Sequence, residues 1–104
     1  MGSTKENLEA AFAGESMARN KYLFWADIAR KEGYHYIAKI FEETADNERR
    51  HAKDHFKLLG GLNDTKTNLK KAMEGEDYET VSMYPDFAKA AEDEGEKEAA
   101  TLFR

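Results

Sequence analysis

The sequence predicts an all-α protein whose long amphipathic helices pack into a bundle. Of its 104 residues, 40% are hydrophobic and 36% are charged, and there are only one Pro and seven Gly. This composition is typical of amphipathic helices, whereas a β-protein needs more β-branched residues and more turns. Apolar residues recur at spacings of three and four along three long segments, which is the helical period. We expect one domain over residues 1–104.

The first helix is predicted to begin after Ser3 and to end near Gly33. Ser3 and Glu6 match the S-x-x-E capping box, and a glycine often follows the last turn of a helix. At 1.5 Å per residue this helix is roughly 40 Å long, which suits a bundle. Its apolar stripe consists of Leu8, Ala11, Phe12, Ala18, Tyr22, Trp25 and Ile28.

Two further helical patterns span residues 36–59 and 69–95, and a fourth pattern starts at residue 96. Glycines end the second and third patterns. Pro85 lies inside the third and predicts a kink there, because proline removes a backbone hydrogen bond. The last nine residues are too few to form a stable helix unaided.

Charge and cysteine content exclude several classes of function. The net charge is −5 with the two signs mixed along the chain, so no basic stripe is present to bind nucleic acid. With no cysteine, the chain contains no disulfide, thiolate nucleophile or cysteine-ligated zinc or iron–sulfur centre. No signal-like segment or run of 18 apolar residues occurs, so we expect a cytoplasmic protein without a membrane contact.

Carboxylates occupy positions in the helical stripes where apolar residues are expected. They are Glu15 in the first helix, Glu48 in the second, and Glu76 and Glu79 in the third, with His51 beside Glu48. Burying unpaired carboxylates costs several kcal/mol, so a bound metal ion is the simplest compensation. Glutamate and histidine suit iron, manganese or zinc, and the excess of carboxylate oxygens favours iron or manganese. The alternative is a solvated acidic surface, above all for residues 74–79.

The spacing of Glu48 and His51 strengthens the metal interpretation. E-x-x-H places two ligands on one face of a helix, one turn apart. Four-helix di-iron proteins combine two such pairs with one glutamate from each of the other two helices. Here Glu15 supplies a lone glutamate, and Glu76 or Glu79 can supply the second. One E-x-x-H alone is a weak motif, but three more carboxylates on other helices make it much stronger.

Three segments resemble the metal-binding helices of rubrerythrins: AAFAGESMAR at residues 10–19, EETADNERRHAK at 42–53, and GEDYE with MYPDF within 75–87. The resemblance covers essentially the whole chain. It implies a ferritin-like antiparallel helix bundle around a non-haem di-iron site, with three long helices and the start of a fourth. It also implies that the metal ligands are Glu15, Glu48, His51, Glu76 and Glu79, and that Tyr22 and Tyr84 lie beside the iron pair.

The usual activity in that family is the reduction of hydrogen peroxide to water. The resemblance therefore implies an oxidative-stress peroxidase that receives electrons from an external donor such as rubredoxin. The sequence departs from the pattern of the family in two ways. It ends at Arg104, before the family's second E-x-x-H, and it has no cysteine-ligated rubredoxin centre. The alternatives are a ferritin-like iron-storage module and an incomplete domain without turnover. His55 is interpreted as lying outside the ligand set, since the resemblance gives it no role.

A bundle with an incomplete fourth helix leaves an apolar groove uncovered, so we expect a homodimer. One arrangement exchanges helices between the two chains, as in a domain swap. In another, two copies of the first helical hairpin pair about a twofold axis. That pairing brings together two copies of Glu15 and two of the Glu48–His51 pair, which is the full ligand complement of a di-iron bundle.

Overall fold

A computed structural model describes residues 2–104, and this part of the chain is helical without any strand. The helices are α1 (Thr4–Lys31), α2 (His35–Leu58), α3 (Thr65–Tyr78), α4 (Tyr84–Asp93) and α5 (Lys97–Phe103), with a π-helical turn at Glu79–Met83. They form two compact units, Met1–Leu62 and Asn63–Arg104. The all-α prediction is confirmed, whereas the single domain stays a prediction. None of the described helices is long and apolar enough to cross a membrane.

Both ends of α1 follow the sequence signals. Ser3 Oγ accepts a hydrogen bond from the Glu6 backbone N–H at 3.1 Å, and the Glu6 carboxylate accepts one from the Ser3 N–H at 3.2 Å. This is the predicted capping box. At the other end, Gly33 has a φ of 87°, a conformation that residues with a side chain rarely adopt. The chain then turns directly into α2.

Helices α1 and α2 pack against each other through alanines. The buried residues of this unit are Ala26, Ala29, Ala38, Ala45 and Ala52. Ala26, Ala29 and Ala38 form a cluster against which Phe41 packs. Since the distance between packed helices depends on the side chains at the contact, these methyl groups let α1 and α2 approach closely. We call these five alanines the alanine seam.

Two glycines end α2 and turn the chain over an aromatic pair. The rings of Phe12 and Phe56 stack with their centroids 4.8 Å apart. The Gly61 N–H donates to the Phe56 carbonyl at 2.9 Å, and a Cβ at Gly61 would lie 2.3 Å from the Phe56 ring. A side chain at position 61 would have to displace the Phe56 ring, so glycine is favoured there.

Asp64 caps the first turn of α3. Its carboxylate accepts a hydrogen bond from the Thr67 backbone N–H at 2.9 Å. Hydrogen bonds from the side chain and the backbone of Thr67 lower the pKa of Asp64. Because the folded-state pKa is depressed, this cap stabilises the protein above the unfolded-state pKa, and its contribution is lost as the pH falls through the folded-state pKa.

The predicted third helix is interrupted one turn before its proline. The Tyr84 N–H donates to the Glu79 carbonyl, five residues earlier, and residues Glu79–Met83 form a π-helical turn. A π-turn contains one more residue than an α-turn. It therefore accommodates Pro85, which has no N–H to donate. The irregularity predicted at Pro85 thus lies within residues 79–83, and α4 starts with Pro85 in its first turn.

The last residues form a short helix that packs on α4. The Phe103 ring lies 5.5 Å from that of Phe87 and 6.2 Å from that of Tyr84, measured between centroids. Arg104 also pairs with Glu92. An isolated helix of this length is unstable in water, so α5 depends on these contacts. Its presence agrees with the fourth helical pattern in the sequence.

Candidate metal centre

The hairpin of α1 and α2 brings three of the predicted ligands together. One potential ligand atom from each of Glu15, Glu48 and His51 lies within 4.8 Å of the other two. His51 Nδ1 is 3.7 Å from Glu15 Oε1. Glu48 and His51 share a face of α2 because they are three residues apart, and the alanine seam holds α1 close enough for Glu15 to meet them. We call these three residues the Glu–Glu–His cluster.

The burial of this cluster is uneven. Glu15 and Glu48 are half-buried, whereas the His51 side chain is 59% exposed. One oxygen of Glu15, Oε2, is buried and accepts no hydrogen bond. Carboxylate oxygens of Glu15 and Glu48 lie within 4.8 Å of each other. Like charges this close repel, and a cation at the cluster would offset that repulsion. Two carboxylates and an imidazole suit divalent iron, manganese or zinc, so the residues present fit a metal ion.

His55 also lies against Glu15, a contact that the helical pattern of the sequence does not predict. Its Nε2 atom is 3.1 Å from Glu15 Oε2, although no hydrogen bond forms in this orientation of the ring. His55 is not a member of the Glu–Glu–His cluster. The signal that could have placed it near Glu15 is its spacing of four residues from His51, which puts both imidazoles on one face of α2.

The other two predicted ligands, Glu76 and Glu79, belong to the second unit. Glu76 is exposed in α3, and Glu79 is half-buried at the start of the π-helical turn. Their spacing of three residues places them on one side of this helical segment. Their role as metal ligands stays a prediction.

The two tyrosines singled out in the sequence both lie in aromatic clusters. The half-buried Tyr22 has ring centroids at 5.6 Å from Trp25 and 6.1 Å from Phe41. Tyr84, in the second unit, stacks with Phe103 at 6.2 Å. These contacts explain why both positions are aromatic. A function beside a metal pair stays a prediction for both hydroxyl groups.

Comparison with known proteins identifies the family. Residues 6–104 match the family model described as Rubrerythrin. The chain is a member of the rubrerythrin family. Rubrerythrin-1 of Clostridium acetobutylicum is 50% identical over an alignment of 118 positions, which covers 97% of this chain and 60% of the relative. Rubrerythrin of Porphyromonas gingivalis is 45% identical over an alignment of 114 positions, which covers 97% of this chain and 57% of the relative.

Solved structures of the family agree with the fold. A fully reduced, all-ferrous nigerythrin matches with a TM-score of 0.57 at 38% identity, covering 99% of this chain and 58% of that chain. The ferritin-like fold implied by the sequence is thus confirmed. The chain spans about 57–60% of the length of these rubrerythrin relatives. Membership of the family implies non-haem iron, and the Glu–Glu–His cluster is a candidate for part of its site.

Proposed function

We propose that this chain binds a non-haem iron pair and reduces hydrogen peroxide to water with electrons from an external donor. The observation that carries the proposal is the Glu–Glu–His cluster, in which one ligand atom from each of the three residues lies within 4.8 Å of the other two. Each peroxide consumes two electrons and two protons and yields two water molecules. Because the chain has no cysteine, it contains no rubredoxin-type centre. The proposed electron donor lies outside these 104 residues and is a carrier such as rubredoxin.

In this proposal, Glu15, Glu48 and His51 hold the metal, and Glu76 and Glu79 supply further carboxylates. Bound iron would supply the electrons and would act as a Lewis acid on the peroxide oxygens. Half-burial of Glu15 and Glu48 strengthens their attraction for a cation, because less water screens it. Tyr22 and Tyr84 are proposed to donate hydrogen bonds from their hydroxyls to the substrate oxygens.

The reaction is tested with protein loaded anaerobically with Fe(II) and mixed rapidly with hydrogen peroxide or dioxygen. We expect peroxide to oxidise the bound iron at least about ten times faster, a difference of ~1.4 kcal/mol in activation free energy. Stopped-flow absorbance of the ferric product measures both rates. Glu48→Gln is the control for oxidation of unbound iron, since it removes one carboxylate of the cluster.

The same experiment separates the alternatives left open by the sequence. Slow oxidation by dioxygen, with continued iron uptake and no preference for peroxide, would support an iron-storage module instead. Protein that retains no stoichiometric iron after loading would support an incomplete domain without turnover. Either result contradicts a peroxidase.

We also propose that two chains form a homodimer that completes the metal site. Among residues 2–104 every buried hydrophobic residue is an alanine, while large apolar side chains such as Phe24 and Tyr36 are 63% and 76% exposed. The exposed apolar surface of one chain thus offers a contact surface for another. Homodimers are the commonest symmetric assembly of soluble proteins.

The connection between α2 and α3 favours an exchange of helices between the two chains. Ferritin-like bundles contain one long crossover connection. Here residues 59–64 join the two helices, and six residues span at most roughly 20 Å. The 24-residue α2 is roughly 36 Å long. Because the connection is too short to run the length of α2, we propose that α3–α5 of each chain pack on α1 and α2 of the other.

Light scattering after size exclusion should give a mass of twice the 11.9 kDa chain. A monomer with a full complement of iron would contradict the dimer. The double substitution E76Q/E79Q distinguishes the two arrangements. With exchanged helices it removes iron binding, because Glu76 and Glu79 complete the site. If two α1–α2 hairpins pair instead, the double variant keeps its iron, since Glu15, Glu48 and His51 from both chains form the site.

A further inference from the structure

The two carboxylate oxygens of Glu15 have different neighbours. Oε1 lies 3.7 Å from His51 Nδ1 within the Glu–Glu–His cluster. Oε2 lies 3.1 Å from His55 Nε2. The two histidines are four residues apart on α2, so they approach Glu15 from one helical face. The carboxylate is therefore placed between an imidazole of the cluster and one outside it.

The environment of Oε2 requires a donor. This oxygen is buried and accepts no hydrogen bond in the present arrangement. Its distance from His55 Nε2 is already that of a hydrogen bond, so only the direction of the ring N–H has to change. The ring torsion of histidine is soft, and a rotation about the Cβ–Cγ bond provides this change. The His55 side chain is 30% exposed, against 59% for His51, so water competes less for its N–H.

We propose that His55 is a positioning residue for Glu15. Its Nε2–H donates a hydrogen bond to Oε2, which holds the carboxylate so that Oε1 faces Glu48 and His51. This inference rests on the proposed metal site and adds a residue to it. Hydrogen bonds from outer residues orient metal ligands, and their loss typically lowers metal affinity 10–100-fold. Because His55 is outside the three-residue cluster, it acts through Glu15 and does not contact the metal.

The test measures the binding of Co(II), because the visible absorption bands of this ion report the geometry of the ligands around it. His55→Phe keeps a ring of similar size but removes the donor. We expect it to weaken Co(II) binding by at least about tenfold and to change the visible spectrum. His55→Gln should restore most of the affinity, because its amide can donate to the same oxygen. His35→Phe is the matched control, because His35 is exposed at the start of α2, and it should behave like the wild type.

A second measurement uses the metal-free protein and does not depend on loading. Nitrogen-15 NMR of the histidine rings should show a hydrogen on Nε2 of His55. The substitution Glu15→Gln should shift that resonance and leave the His35 resonance in place. An unshifted His55 resonance would overturn the proposed hydrogen bond, even if His55→Phe failed to fold.

The Co(II) results separate failure of this inference from failure of the metal site. If Glu48→Gln loses Co(II) while His55→Phe retains wild-type affinity and spectrum, the positioning role is overturned and the metal site stands. If both His55→Phe and His55→Gln lose Co(II) as completely as Glu48→Gln, His55 is a ligand and the positioning role is again overturned. If the wild type binds no Co(II), or Glu48→Gln binds it equally well, the site itself is overturned, and the role of His55 with it.

Discussion

Glu48→Gln should lower the affinity for Fe(II) by more than roughly 100-fold. Loss of an outer hydrogen-bond partner of a metal ligand already costs about 10–100-fold, and this change removes the charge of a proposed ligand itself. Glu48 is half-buried and belongs both to the E-x-x-H pair and to the Glu–Glu–His cluster. Glutamine has nearly the same shape, so the helix should form normally. Anaerobic titration against a coloured chelator measures the affinity.

The matched control for this prediction is Glu43→Gln. Glu43 lies on the same helix, five residues earlier, and is exposed. Both substitutions change the net charge by the same amount, so a general electrostatic effect would appear in both variants. We expect the Glu43 variant to bind iron as the wild type does. Equal affinities of the wild type and the Glu48 variant would show that the cluster is a solvated group of surface charges.

Ala38→Leu should destabilise the α1–α2 hairpin by about 1–3 kcal/mol, the usual cost of forcing extra methylenes into a packed core. Ala38 is fully buried and packs in one cluster with Ala26 and Ala29. Leucine needs space that these close helices do not provide. Since a loss of 1 kcal/mol lowers the melting temperature of a domain this size by roughly 4–8 °C, thermal denaturation followed by circular dichroism will detect the change.

The control for Ala38→Leu is Ala13→Leu. Ala13 lies in the middle of α1 and is exposed. Leucine and alanine both favour helices, so the two substitutions have similar effects on the backbone and differ in packing. A melting temperature for the Ala38 variant that equals the wild-type value would show that the alanine seam has room for a larger residue. In that case close approach of α1 and α2 could not explain the position of Glu15.

The three residues of the Glu–Glu–His cluster could largely be predicted from the sequence, because they interrupt the regular apolar pattern of the helices. Glu48 and His51 lie on one helix, so their shared face follows from the helical repeat alone. Glu15 lies on another helix, and its inclusion depended on the apolar stripe and on the resemblance to rubrerythrins. The role of His55 was missed because it depends on which oxygen of Glu15 points toward α2. That orientation involves contacts across two helices.

The sequence by itself determined the elements of this protein whose causes are local. The capping box at Ser3, the turn at Gly33 and the E-x-x-H spacing follow from residues within one or two helical turns. Only the tertiary structure decided how closely α1 and α2 approach, which oxygen of Glu15 meets each histidine, and how a π-helical turn accommodates Pro85. These features depend on the packing of residues far apart in the chain or on a choice between backbone hydrogen-bond patterns, and helical periodicity specifies neither.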